Sequence, residues 1–439
     1  MSASSTSFAL VSALALTSQS ALAADLKTTL DPAIHATMPQ VIAWRRDLHQ
    51  HPELSNREFR TSKLVAAELT KMGLEVQTGV AKTGVVAILK GGKPGPLVAL
   101  RADMDALPVK EQVDLPFASK VTAEFNGQQV GVMHACGHDA HVAMLLGTAK
   151  VLVANRKELA GSVMFVFQPA EEGPPAGEEG GARLMLKEGL FAKQKPAAIF
   201  GLHVWPGPAG QLLVKTEGIM AAADSFEIKV KGVQTHGSSP WRGVDPIAVT
   251  GQLLSAIQQI PSRQLDITQA PAVISVGQIN GGVRWNIIPD EVTLGGTART
   301  FDPKMREQLL ANMARTVEHI SAASGATADF HHHNAAAVTW NHVGLTEWAM
   351  PSLRWAGRDA GVVPIKPITA SEDFSFYQEQ VPGIFFFLGI NGEGKTIEQT
   401  PPNHSPFFIL NEAAMENGVR ALAGLTADFL AAPPTLSAK

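Results

Sequence analysis

The residues of this 439-residue chain that could do chemistry gather in a few short stretches. The densest, MHACGHDAH at residues 133–141, holds three of the fourteen histidines and the only cysteine. A single cysteine rules out an intramolecular disulfide, which leaves Cys136 as core filler, nucleophile or metal ligand. Gly137 separates Cys136 from His138, and its backbone freedom allows two side chains to face one point. Four further stretches carry similar groups: Asp103 and Asp105 in LVALRADMD, Glu171 and Glu172 in FVFQPAEEG, His203 in IFGLHVW and His404 in PNHSPFF.

Thiolate, imidazole and carboxylate together suit zinc or another first-row divalent ion. Adjacent glutamates at a strand end point in different directions, so one can bind metal while the other faces a water. A divalent ion lowers the pKa of such a water, and a neighbouring carboxylate can take its proton and return it to a leaving amine. That chemistry is metal-assisted amide hydrolysis. On the residues alone two other classes stay open, a thiol hydrolase with Cys136 as nucleophile and a non-enzymatic protein that captures carboxylates through its metal.

Several groups are set aside. His134 and His141 read as packing or hydrogen-bonding neighbours, and His331 to His333 as a surface cluster whose side chains alternate between faces. Glu178 and Glu179, in the Gly/Pro-rich GPPAGEEGGA, read as solvated residues of a mobile loop. Trp205, two residues past His203, is the candidate apolar wall for a substrate.

These groups need a scaffold that brings distant loops together. VVAIL, LVAL, SVMFVF, AAIFGL and GIFFFLG are short, nearly continuous apolar runs, as expected of strands buried on both faces in an α/β sheet covered by helices. Ligand-type residues follow three of these runs, and in such sheets ligands gather outside the carboxyl ends of the strands. Cys136 and His138 stand ahead of an apolar helical run, with Asp139 the expected N-cap. Between residues 221 and 333 the rhythm becomes strand-helix-strand-strand-helix-strand, the ferredoxin-like split unit, read as an inserted α+β domain suited to a lid or a dimer contact. Residues 25–220 and 334–439 then form the catalytic, metal-binding domain.

A hydrophobic fraction of 45%, a charged fraction of 17% and a formal net charge of -4, with no run of like charge, describe a globular chain and exclude a nucleic-acid footprint. Residues 1–24 read as a cleavable signal peptide, with an apolar stretch followed by Ala21-Leu22-Ala23, so export to the periplasm or the medium is expected. No later segment has the apolar length of a membrane span.

The order HPELS, RADMDALP, MHACGHDAH, QPAEEG, GLHVWP, THGSSPWRGVDP, NIIPDEVTLGGTARTF, SEDFS and PNHSPFF resembles the zinc amidohydrolases that include hippurate hydrolase, auxin-conjugate hydrolases and N-acyl-amino-acid carboxypeptidases. These form a branch of the dinuclear aminoacylase and carboxypeptidase superfamily. The resemblance implies a metallopeptidase-type catalytic domain with a mixed sheet, and two divalent ions per chain, zinc first, with manganese or cobalt as alternatives. It implies Cys136, His138, Glu172, His203 and His404 as metal ligands and Glu171 as general base. Where the wider superfamily has an H-x-D pair this chain has Asp103-Met104-Asp105, so Cys136 takes over a ligand duty, Asp105 orients the site and the part played by Asp103 stays open. His236 would polarise the scissile carbonyl in a partner subunit, and Asn286 and Arg299 would hold the substrate's carboxylate, which implies a homodimer or higher homo-oligomer. The implied substrates are N-acyl or N-aroyl amino acids, with short peptides cleaved at the C-terminal residue, or amide xenobiotics, as the alternative.

Overall fold

The computed structural model describes the backbone of residues 6–436 and the side chains of residues 26–436. The expected signal peptide therefore lies outside the residues whose side chains are described. The chain divides into two compact units, one comprising Met1–Thr216, Asn341–Ile365 and Phe376–Lys439, the other Glu217–Trp340 and Lys366–Ser375. Residues 366–375 thus return to the second unit, although the sequence boundaries place them with the catalytic domain; their backbone pairs there, as in the bridge of Ile368 with Met220.

The first unit is built on an eight-stranded mixed sheet. In chain order its strands are β1 (Glu75–Val80), β2 (Gly84–Lys90), β3 (Lys93–Asp103), β4 (Ala160–Gln168), β5 (Ala198–Trp205) and β6 (Leu212–Val214). In the second unit follow β7 (Ala222–Lys231), β8 (Ala272–Gly281), β9 (Glu291–Thr300) and β10 (Thr327–Ala336), and the first unit closes with β11 (Val362–Pro364) and β12 (Gly383–Gly389). The spatial order of the large sheet is β1-β2-β4-β3-β5-β12-β6-β11. The four central strands β4, β3, β5 and β12 run parallel, so their carboxyl ends share one edge. These are the continuous apolar runs, and every residue of β12 is buried. Edge strand β1 is mostly exposed and carries no such run.

Helix α1 (Thr6–Gln50) ends just before Pro52, which cannot continue it, and α2 (Phe59–Lys71) follows. Helix α3 (His138–Ala154) is buried over most of its length, with Lys150 exposed, and packs on α1 and on the C-terminal helix, Met415–Ala431. Its N-cap is Gly137, with φ of 90°, and not the expected Asp139. A Cβ at Gly137 would lie 2.3 Å from Val204 Cγ2, so both the backbone angle and the space demand glycine. Asp139 instead turns inward to Arg45 and His49.

In the second unit β8-β9-β7-β10 form an antiparallel sheet, the strand order of a split β-α-β-β-α-β unit. Its two helices, Pro246–Arg263 and Pro303–Ala323, both open on Asp-Pro. The Asp245 and Asp302 carboxylates accept backbone N–H groups at the helix start, and each proline takes a position that needs no donor. Phe226, Ile228, Leu253, Leu294 and Leu309 form the core beneath these helices.

Candidate metal centre

The carboxyl-terminal ends of β3 and β5, where Asp103 and His203 lie within the strands, and the loop after β4 converge with the start of α3 and the loop after β12. Cys136, His138 and His203 each present a ligand atom within 4.8 Å of the others, and so do Cys136, Glu172 and His404. Cys136 belongs to both groups. A further group of the same closeness joins His138 to Glu171 and Glu172.

Tautomers follow from the bonds. The His203 Nδ1–H donates to the Val204 carbonyl at 2.7 Å, which leaves the Nε2 lone pair 3.3 Å from Cys136 Sγ. His141, by contrast, is spent: its Nδ1–H donates to Asp103 Oδ1 at 2.6 Å and its Nε2 accepts the Val204 N–H at 2.8 Å. Asp103, whose part the sequence left open, also accepts Arg101 Nη1 at 2.6 Å, so it locks His141 and the end of β3 together. Asp105 is a junction of another kind. It accepts the Ser55 hydroxyl at 2.7 Å and the backbone N–H groups of Glu171 and Glu172 at 3.1 and 3.0 Å, and it stands 3.4 Å from His138 Nδ1.

His138 tests whether this cluster fits a cation. Both ring nitrogens are buried and neither makes an aligned hydrogen bond. Nε2 is faced instead by Asp103, Glu172 and Glu171 carboxylate oxygens at 3.7, 3.9 and 4.0 Å. Burial opposes a charged imidazole, yet Asp103, Asp105 and Glu172 outweigh it and push His138 up to about 10. Burial and the carboxylates of Glu172, Glu171 and Asp103 push the Cys136 thiol well above its ordinary value. Four carboxylates against one nearby guanidinium, Arg101, make a pocket that calls for positive charge, and its donors are of the types that bind divalent ions. The residues fit a metal.

Three features escaped the sequence reading. Asn403, beside His404, donates from Nδ2 to the carbonyls of Cys136 and Val204 at 3.0 and 3.2 Å and so joins the Cys136 loop to the end of β5. Glu58 is a buried carboxyl that burial and the Asp105 charge push up to about 7. Glu178 is no free loop residue: it bonds Asn56 and Arg57 and pairs with Lys82, and these hold its carboxyl down at about 2. His134 is buried with no hydrogen-bond partner on either nitrogen among the described residues, and burial lowers it to about 4, which makes it a neutral packing group. Trp205 packs on Phe387 at 5.3 Å.

Behind the ligand helix lies a buried ionic network. Asp139 stands 2.8 Å from both Arg45 Nε and His49 Nδ1, and His49 Nε2 lies 3.1 Å from Glu111. Burial alone would lower His49, but Asp139 and then Glu111 raise it above the ordinary histidine range. A histidine raised on folding contributes stability that is fully present below its unfolded pKa and is lost as pH rises through the folded one. His49→Gln should therefore destabilise most near pH 6 and progressively less under alkaline conditions, as read from urea melts across that range. A stability gap that does not change with pH would contradict this.

In the second unit His236 is exposed in a short strand paired with Ile287, and Gly237 N–H bonds the Asn286 carbonyl at 2.9 Å, so His236 and Asn286 are neighbours. Arg299 lies on β9. Among the described residues, the buried atoms Asn286 Oδ1 and Arg299 Nη1 have no hydrogen-bond partner.

Comparison with known proteins agrees with this chemistry. The family model described as peptidase family M20/M25/M40 matches residues 99–428. Thermostable carboxypeptidase 1 of Saccharolobus solfataricus is 40% identical over 408 residues, covering 92% of this chain and 99% of that protein. N-acetylcysteine deacetylase of Bacillus subtilis is 40% identical over 387 residues, 88% of this chain and 94% of the other. Among solved structures, the Bacillus subtilis YXEP protein, described as a dinuclear metal-binding peptidase of the M20 family, superposes with a TM-score of 0.74 at 38% identity, covering 90% of this chain and 99% of that one. The chain belongs to peptidase family M20/M25/M40 and is a metal-dependent hydrolase of amide bonds.

Proposed function

We propose that the protein hydrolyses the amide bond of N-acyl or N-aroyl amino acids. The observation that carries this reading is the pair of ligand groups sharing Cys136, with Glu171 at their edge. Cys136, His138, Glu172, His203 and His404 would hold two divalent ions, which when bound supply Lewis acidity toward the carbonyl and the attacking water. Glu171 takes the proton of that water and returns it to the leaving nitrogen. Asp105 keeps the two glutamates and His138 in register through the contacts described above. His236 would serve the carbonyl oxygen in the site of a partner subunit, and Asn286 and Arg299 the free carboxylate, for which the guanidinium fork is suited.

A screen crossing aromatic and aliphatic acyl groups with apolar, charged and aromatic amino acids, run with zinc, manganese and cobalt, tests the reading. It fails if every N-acyl amino acid is left intact. Cleavage of short peptides with the acyl amino acids untouched would favour the carboxypeptidase alternative, which the similarity to a carboxypeptidase supports. Arg299→Ala should lower kcat/KM about 10- to 100-fold, the worth of a charge-assisted hydrogen bond, for substrates with a free carboxylate. The same variant should leave hydrolysis of the corresponding C-terminal amides nearly unchanged.

Export is part of the proposal, by cleavage of a leader near residue 24, which N-terminal sequencing of the secreted or periplasmic protein would test. So is a homodimer formed through the second unit, supported by the exposure of Trp241, Val283 and Trp285 at 78%, 96% and 93%. The mass of the protein in solution tests it.

A further inference from the structure

Residues 55–58, Ser-Asn-Arg-Glu, touch the loop at residues 170–180 at both of its ends. At the near end the Glu58 carboxyl accepts the Ala170 N–H at 2.9 Å and the Asn56 N–H at 3.0 Å through Oε1, and the Thr83 hydroxyl at 2.5 Å through Oε2. Together with Asp105, Glu58 captures three consecutive backbone N–H groups, those of Ala170, Glu171 and Glu172. Ala170 has φ of 54°, in the left-handed region, which costs a residue with a Cβ about 1 kcal/mol. That turn decides where the two following side chains point.

At the far end the Asn56 amide donates to Glu178 Oε2 and to the Glu179 carbonyl, both at 3.0 Å, and Arg57 donates to Glu178 at 2.5 Å. Gly180 closes against this grip, for a Cβ there would lie 2.9 Å from Ala170 Cβ and 3.0 Å from Asn56 Oδ1. Ser55 adds its hydroxyl bond to Asp105. Nothing in the reaction requires residues 55–58 to meet substrate.

We propose that residues 55–58 form a clamp on the loop at 170–180, with Glu58 as the positioning residue that sets the directions of Glu171 and Glu172. A displacement on the order of 1 Å at reacting groups can cost about 100-fold in rate. Glu58→Ala should thus lower kcat roughly 10- to 100-fold with KM changed little. It should also shift the visible absorption of the cobalt(II)-loaded protein, since Glu172 moves, and open residues 173–180 to proteinase K, with cuts mapped by mass. Glu58→Gln keeps the Oε1 acceptor and should restore all three readouts to near wild type. If Glu58→Ala does not fold, Arg57→Ala loosens the exposed end alone and should still expose residues 173–180 to cutting.

The kinetic arm rests on the proposed part of Glu171, whereas the cobalt spectrum and the proteolysis do not. Wild-type protein that cleaves no amide would sink the functional reading and leave those two arms to judge the clamp. Wild-type turnover with Glu58→Ala unchanged in kcat, spectrum and cutting would overturn the clamp and leave the function standing. Equal damage from Glu58→Ala and Glu58→Gln would overturn it too, because the accepted N–H bond would then not be what matters.

Discussion

Glu171→Gln should lower kcat by about 1,000-fold while the protein keeps its metal. General base catalysis by a positioned side chain is worth roughly 100- to 10,000-fold, and the amide of glutamine can neither take the proton of the attacking water nor hand it to the leaving nitrogen. KM should move little, since Glu171 is assigned no substrate contact before the reaction begins. The structure gives a reason for separating Glu171 from its neighbour. Glu172 Oε1 stands 3.2 Å from His404 Nε2 and shares a ligand group with Cys136 and His404, whereas Glu171 is grouped with His138, whose Nε2 lies 4.0 Å from its carboxylate. Glu172→Gln should therefore lose metal together with activity, and Glu171→Gln activity alone. Metal analysis by mass spectrometry beside steady-state rates checks both variants. Glu171→Gln with rates within tenfold of wild type, or with its metal lost, would remove Glu171 from the part of base.

Much of the architecture was legible because the parallel strands announce themselves. A strand stretch buried on both faces is nearly continuous in apolar residues, and β4, β3, β5 and β12 each contain such a stretch, so the crevice at their carboxyl ends follows from ordinary sheet chemistry. Helix caps in the second unit were equally local, two Asp-Pro pairs setting two helix starts. The three-residue strands β6 and β11, the second of them at the sheet edge, carry too little pattern to be seen, and β1 is largely exposed. Individual carboxylates were the hardest to read. Whether an acidic residue ligates, orients or anchors is decided by partners far along the chain: Asp103 by His141, Glu58 by Ala170, Glu178 by Arg57. Asp139 shows the same limit, because a residue suited to cap α3 is instead drawn to Arg45 and His49, ninety residues earlier in sequence, and glycine takes the cap. For Glu178 the local signal was misleading, since the glycines and prolines around it suggest mobility while two exposed cations and an asparagine hold it in place.

Cys136→Ser should reduce bound metal from about two ions per chain to one or fewer, and abolish turnover with it. The thiol is buried, only 6% exposed, and the carboxylates around it press its ionisation upward, so in the bare protein it stays protonated and is a poor nucleophile. A divalent ion reverses this, because a coordinating thiol gives up its proton outright. Cys136 belongs to both ligand groups, with His138 and His203 in one and Glu172 and His404 in the other, and would hold metal with them. Serine offers an oxygen whose proton is far harder to remove and whose shorter reach spans the two groups less well. Two outcomes separate ligand from nucleophile. If Cys136 is a ligand, metal-free protein reacts slowly with iodoacetamide, no acyl-enzyme forms during turnover, and the loss of activity in Cys136→Ser follows the loss of metal. If it is a nucleophile, alkylation is fast without metal and mass spectrometry traps a covalent acyl intermediate. The buried, acid-ringed position of Cys136 predicts the first pattern, and Cys136→Ser with full metal content and full activity would refute both.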